Sequence, residues 1–67
     1  MASVPELRVG IDVGCHQHRV GISDASGGLL EEFDVSHTPE GFRDFFRRVT
    51  VQKERLGLPV VVAMEGY

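Results

Sequence analysis

Only one cysteine, Cys15, occurs in the 67 residues. That excludes an intramolecular disulfide and a CxxC metal site, and it fits a reducing cytoplasm. Basic residues are in deficit: 7 Lys plus Arg stand against 10 Asp plus Glu, a formal charge of −3. The chain by itself therefore lacks the electrostatic footprint of a free-standing nucleic-acid binder. Long apolar runs are missing too. The longest run of large apolar residues is Val60-Val61-Val62-Ala63-Met64, far short of the roughly 20 residues that a membrane helix requires. The segment Met1–Glu6 has neither the basic region nor the apolar stretch of a secretory signal. Without these features the expected location is the cytoplasm, with no membrane partner. There is no internal repeat and no low-complexity tract.

What is present is ordinary globular composition, 42% hydrophobic and 25% charged, which argues against disorder. A domain of about 60 residues buries only roughly 60% of the surface that its unfolded chain exposes, so its stability is marginal. After a leader, residues 1–6, four strand-like segments and one helix account for nearly everything. Leu7, Val9, Ile11 and Val13 alternate with Arg8, Gly10 and Asp12, the period of a strand. Alternation resumes over residues 18–24 with Val20 and Ile22 on one face. Asp24-Ala25-Ser26-Gly27-Gly28 reads as a hairpin turn, because its acceptor side chains and glycines suit one. A third strand over 29–36 puts Leu29, Glu31, Phe33 and Val35 on one face and Glu32 and Asp34 on the other, wet face.

Thr38-Pro39-Glu40 has the chemistry of a helix start: a capping hydroxyl, a proline at the first position and a carboxylate in the first turn. Phe42, Phe45, Phe46, Val49 and Leu56 share one stripe at helical spacing. The β-branched run Val49-Thr50-Val51 is a place for fraying or a kink. Gly57 and Pro59 end the helix, giving a span of about 39–56. Val60–Met64 then reads as a strand covered on both faces. A buried strand after a helix takes a parallel partner by crossover, most simply the first strand. The expectation is an α/β fold with a mixed sheet in the order 3-2-1-4 and one crossover helix on one face. Nothing left in the sequence covers the other face. The chain is therefore expected to be incomplete, the N-terminal portion of a larger domain; an oligomer partner over the bare face is the alternative.

Asp12 interrupts an apolar strand and Glu65 ends the last one. If the two strands are parallel neighbours, both carboxylates reach the carboxyl edge of the sheet, where open α/β sheets bind ligands. Two nearby carboxylates repel, and a Mg²⁺ ion relieves the repulsion through the oxygen ligands it favours. Spacing alone equally allows a turn role for Asp12 beside Gly14 and a solvated strand end for Glu65. Two acids are also fewer than a pair of metal ions needs for phosphoryl chemistry.

Three blocks of sequence occur in order: Val9-Gly10-Ile11-Asp12-Val13-Gly14 followed by His18, Thr38-Pro39-Glu40-Gly41-Phe42, and Val62-Ala63-Met64-Glu65-Gly66. Together they resemble the N-terminal part of the DEDD insertion-sequence transposases, whose RuvC-like catalytic domain has a ribonuclease-H-like fold. The resemblance spans residues 7–67. It implies that Asp12 is the first acid of the D-E-D-D set and Glu65 the second, both as catalytic metal ligands. It further implies Mg²⁺ in the intact domain, and DNA and a structured bridge RNA as partners. The rest of the catalytic protein, with the third and fourth acids and the domain that carries the family's serine, would be a further partner. Cys15 stands where many members have a lysine after a small residue, which removes a positive charge. With half the acidic set, the 67 residues alone are expected neither to cleave nor to join DNA.

The runner-up is the N-terminal part of an actin-like ATPase or sugar kinase, which shares the strand order. The stretch Cys15-His16-Gln17-His18 has no hydroxyl to approach phosphate, and this favours the transposase. A third possibility is a non-catalytic remnant that pairs through its bare sheet face. His16 and His18, two apart, could share a strand face as metal ligands do, but no third ligand accompanies them. His18, Arg43 and Arg47 are the candidate nucleic-acid contacts. His18 owes its place to the resemblance, whereas a solvated helix face is the default for the arginines. His37 simply precedes the helix cap, and Cys15 has no base beside it other than His16.

Overall fold

The computed structural model describes residues 5–66; the first four residues of the expected leader, and Tyr67, lie outside the described residues. The elements are β1 (Leu7–Asp12), β2 (Gln17–Ser23), β3 (Leu29–Ser36), α1 (Pro39–Leu56) and β4 (Val60–Glu65). The sheet order is β3-β2-β1-β4. β2 runs antiparallel to β1 and to β3, and β4 runs parallel to β1. The α/β class, the mixed sheet 3-2-1-4 and the crossover helix are as the sequence predicts. No helix among the described residues is long and apolar enough to cross a membrane.

Local chemistry explains the joints. In the β2–β3 turn Asp24 Oδ1 accepts from the Ser26 amide, the Ser26 hydroxyl and the Gly28 amide at 3.0, 2.7 and 2.8 Å. Thr38 caps α1 by accepting from the Gly41 amide at 3.0 Å. Gly41 is required by close approach, because a Cβ there would run into the Ser36 carbonyl oxygen. Gly57 closes the helix with its N–H on the Lys53 carbonyl at 2.8 Å. The helix is continuous through Val49-Thr50-Val51, so the β-branched run neither kinks nor ends it.

One face of the sheet carries the core: Leu7 and Val9 of β1, Val20 and Ile22 of β2, and Phe33 and Val35 of β3. Phe42, Phe45 and Val49 of α1 pack against it. Burying each such aliphatic side chain contributes about 1.5–3 kcal/mol. Glu31 also lies on this inner face, where Arg48 Nη1 and Gln52 Nε2 donate to it at 3.3 and 2.9 Å. The Arg48 guanidinium lies 4.5 Å from the centroid of the Phe33 ring, so α1 is fastened most closely over β3.

That placement corrects three expectations. β4 is not covered on both faces: among the described residues Val62 and Met64, on the α1 side, are 51% and 68% exposed because α1 sits toward the β3 side of the sheet, and Val61, on the bare opposite face, is 44% exposed. The helix stripe is narrower than its spacing implies, since Phe46 and Leu56 are exposed while Phe42, Phe45 and Val49 pack inward. In β3 a register shift opposite Ile22 and Ser23 breaks the alternation. It turns Leu30 toward the core and leaves Leu29 exposed beside Gly21 on the other face.

Candidate functional site

β1 and β4 end together. Their parallel register pairs Leu7 with Val60 and runs in step to Asp12 opposite Glu65. The next residue locks the ends, with the Val13 amide donating to the Glu65 carbonyl at 2.7 Å. Parallel neighbours stand about 4.8 Å apart, so both carboxylates leave adjacent backbone positions at the carboxyl edge. They stand on the face away from α1. There an open trough of about 390 Å³ is lined by Gly10, Ile11, Asp12, Arg19, Gly21, Ala63 and Glu65. The trough exists because Gly10 and Gly21 present no side chain and Ala63 only a methyl.

Neither Asp12 nor Glu65 has a hydrogen-bond or ion-pair partner from its carboxylate among the described residues. The acids of β3 differ: Glu32 and Asp34 both accept from Arg19. Two like charges on adjacent strand ends repel. Two unpaired, solvated carboxylates suit Mg²⁺, which commonly takes one or two carboxylates and keeps several waters. No group of three or more His, Cys, Asp or Glu gathers to hold a metal among the described residues.

Arg19 is the residue of the trough that sequence reasoning missed. It is the direct cross-strand neighbour of Asp12 on β2 and of Asp34 on β3. Glu65, Asp12, Arg19 and Asp34 thus form one charged row across four strands. Its guanidinium turns toward β3, and its hydrogen bond to Glu32, then that to Asp34, hold its pKa above the ordinary arginine value. The signal was in the sequence. Val20 and Ile22 point to the core, so Arg19 must point to the opposite face, the one that bears Asp12.

The other candidates are not brought to the acids. Arg43 and Arg47 are exposed on α1, which covers the opposite face of the sheet, and Arg47 is paired with Asp44. His18 is 8% exposed. Its Nδ1 accepts from the Gly14 amide at 3.1 Å and its Nε2 lies 3.1 Å from His37 Nδ1, which leaves its ring no free edge for a nucleic-acid contact. His16 precedes β2 and does not share a strand face with His18; its carbonyl accepts from the His37 amide at 3.1 Å. His37 precedes the cap as expected, and sequence gave no sign of its pairing with His18. Cys15 is exposed in the same turn. Gly14 is fixed there by contact, because a Cβ would meet the Gln17 carbonyl oxygen.

Comparison of the chain with protein-family models, with curated proteins and with solved structures finds no match.

Proposed function

We propose that residues 7–67 are the N-terminal portion of a ribonuclease-H-like catalytic domain of the DEDD insertion-sequence transposases. In that reading Asp12 and Glu65 serve as two ligands for Mg²⁺. The observation that carries it is the register of Asp12 against Glu65 at the carboxyl ends of parallel β1 and β4. The trough with its glycine floor supports it as well, since a nucleic-acid backbone needs close access to the acids. Bound there, the metal would supply positive charge for the phosphodiester oxygens and lower the pKa of a water or hydroxyl. The chain's own part is to hold two hard oxygen donors side by side on rigid strand ends, with the Val13–Glu65 backbone bond fixing their spacing. DNA and a guide RNA are the proposed partners. Residues 5–66 supply two acids, so strand cleavage and joining require the family's other two from elsewhere, and the 67 residues alone do neither.

The test is a transposition assay on the protein as its gene encodes it, with donor and target DNA and Mg²⁺. Asp12→Asn and Glu65→Gln should each lower strand-transfer product by about a hundredfold or more, the usual scale for removing a group that stabilises the transition state. Product that survives both substitutions would overturn the proposal.

A further inference from the structure

We infer that His18 and His37 are positioning residues for the Asp12–Glu65 cation site. They form a tautomer-locked pair that holds the turn after Asp12 while both rings are neutral; a proton on His18 releases the Gly14 amide, and a proton on His37 breaks either that bond or the bond between the rings. The functional half of this inference rests on the cation reading above; the tautomer lock does not.

The geometry assigns every proton. The Gly14 amide can only donate, so His18 Nδ1, 3.1 Å away, must be the acceptor. A neutral His18 then carries its hydrogen on Nε2. That nitrogen lies 3.1 Å from His37 Nδ1, which must accept, and so the hydrogen of His37 is on Nε2. One directed chain thus runs from Gly14 through His18 to His37. An added proton has no place in it. On His37 Nδ1 it would face the Nε2–H of His18, and shifting the His18 hydrogen to Nδ1 would set it against the Gly14 N–H. Protonating either ring therefore breaks one of the two bonds.

His18 meets groups from each part of the chain packed around it. The turn after β1 brings the Gly14 amide, β3 brings its register partner Val35, and α1 brings Phe42, whose ring centroid is 6.1 Å away. The connection from β3 to α1 brings His37, with a centroid distance of 5.3 Å. Of these only His37 carries an ionisable side chain. Phe42 also meets His37 edge-on at 5.3 Å, which fixes both rings from the helix side. The link reaches the site through two further facts. Gly14 is two residues past Asp12, and Val13 between them holds the Glu65 carbonyl at 2.7 Å. Losing the Gly14 bond loosens the turn that follows Val13 and its bond to Glu65.

The test is nitrogen-15 NMR of the histidine rings and of the Gly14 amide from pH 8 to pH 5.5, with Mn²⁺ titrations at both ends. This range brackets the ordinary imidazole value of about 6.5 and stays above the ordinary carboxylate values of about 4. At pH 8 both rings should be Nε2–H tautomers. The Gly14 amide resonance should move with the histidine titration. Mn²⁺ affinity should fall by about three- to tenfold at pH 5.5, the effect of one lost hydrogen bond. In His18→Asn, whose amide oxygen can accept from Gly14 without titrating, the pH dependence should flatten; His37→Asn, which leaves His18 in place, should reduce it as well. A Nδ1–H tautomer at His18, or a Gly14 resonance indifferent to pH, would overturn the lock. A lock as described with pH-independent Mn²⁺ binding would overturn the positioning role. Absence of Mn²⁺ binding at pH 8 would overturn the cation reading and the positioning role together, while the tautomers would still report on the lock.

Discussion

Asp12 and Glu65 lie directly opposite each other, the last register pair of two parallel strands that are 53 positions apart in sequence. The pairing follows from packing. Leu7 and Val9 must face the core, Val60 must follow α1 across the sheet, and six residues of in-step pairing then carry both acids to the same edge. A shift of the β4 register by one residue would send Glu65 to the α1 face and separate the carboxylates. The site is therefore a consequence of the core, and a test of one bears on the other.

The two apolar sets of the sheet should respond oppositely to truncation. Ile22 is fully buried, and Ile22→Ala should cost about 2–5 kcal/mol. That is a large share of the stability open to a domain of this size. Met64 is 68% exposed, and Met64→Ala should change stability by about 0.5 kcal/mol or less. Urea unfolding followed by circular dichroism measures both. Equal losses at the two positions would mean that β4 is covered in solution.

Acid should act through the β2–β3 turn. The hydrogen bonds from the Ser26 hydroxyl first, and the Gly28 amide next, hold the Asp24 carboxyl below the usual carboxylate range. The unfolded chain, with its higher pKa, takes up the proton first as pH falls. The contribution of Asp24 is therefore complete above the ordinary value near 4 and lost as pH drops through the lower folded value. Asp44, lowered chiefly by its bond from Arg47, acts in the same direction. Melting temperatures between pH 7 and pH 2 should fall in the wild type, and fall less steeply in Asp24→Asn. Parallel profiles would contradict the assignment of this slope to Asp24.

Much of this was legible in the sequence for plain physical reasons. Period-2 alternation located β1 to β3, and Thr38-Pro39 with Gly57-Leu58-Pro59 bounded α1 at Pro39–Leu56. The crossover rule then put β4 beside β1 and brought Asp12 to Glu65. What failed depends on where α1 sits over the sheet. Helical spacing counts Phe46 with Phe42, yet contact stops at the flank that leans toward β3 through Arg48, Gln52 and Glu31. The same lean leaves β4 open, which no apolar run can announce. Leu29 was misplaced because a bulge shifts parity without a marker in composition. Arg19 was readable from the outward phase of Val20 and Ile22, and was passed over as an ordinary strand charge. His18 and His37 meet only through the hairpin register and the helix cap together, a long-range coincidence that neither local pattern contains.

The most direct measurement is Mn²⁺ titration of nitrogen-15-labelled protein, reading paramagnetic broadening residue by residue, in the wild type and in Asp12→Asn. If Asp12 and Glu65 hold a divalent cation together, broadening centres on Asp12, Val13, Glu65 and Gly66 at substoichiometric Mn²⁺. The substitution should weaken it at least about tenfold, roughly 1.4 kcal/mol, for the loss of one charged ligand. Broadening spread evenly over Glu32, Asp34, Glu40 and Glu54, or unchanged in Asp12→Asn, would contradict a cation site at the paired strand ends.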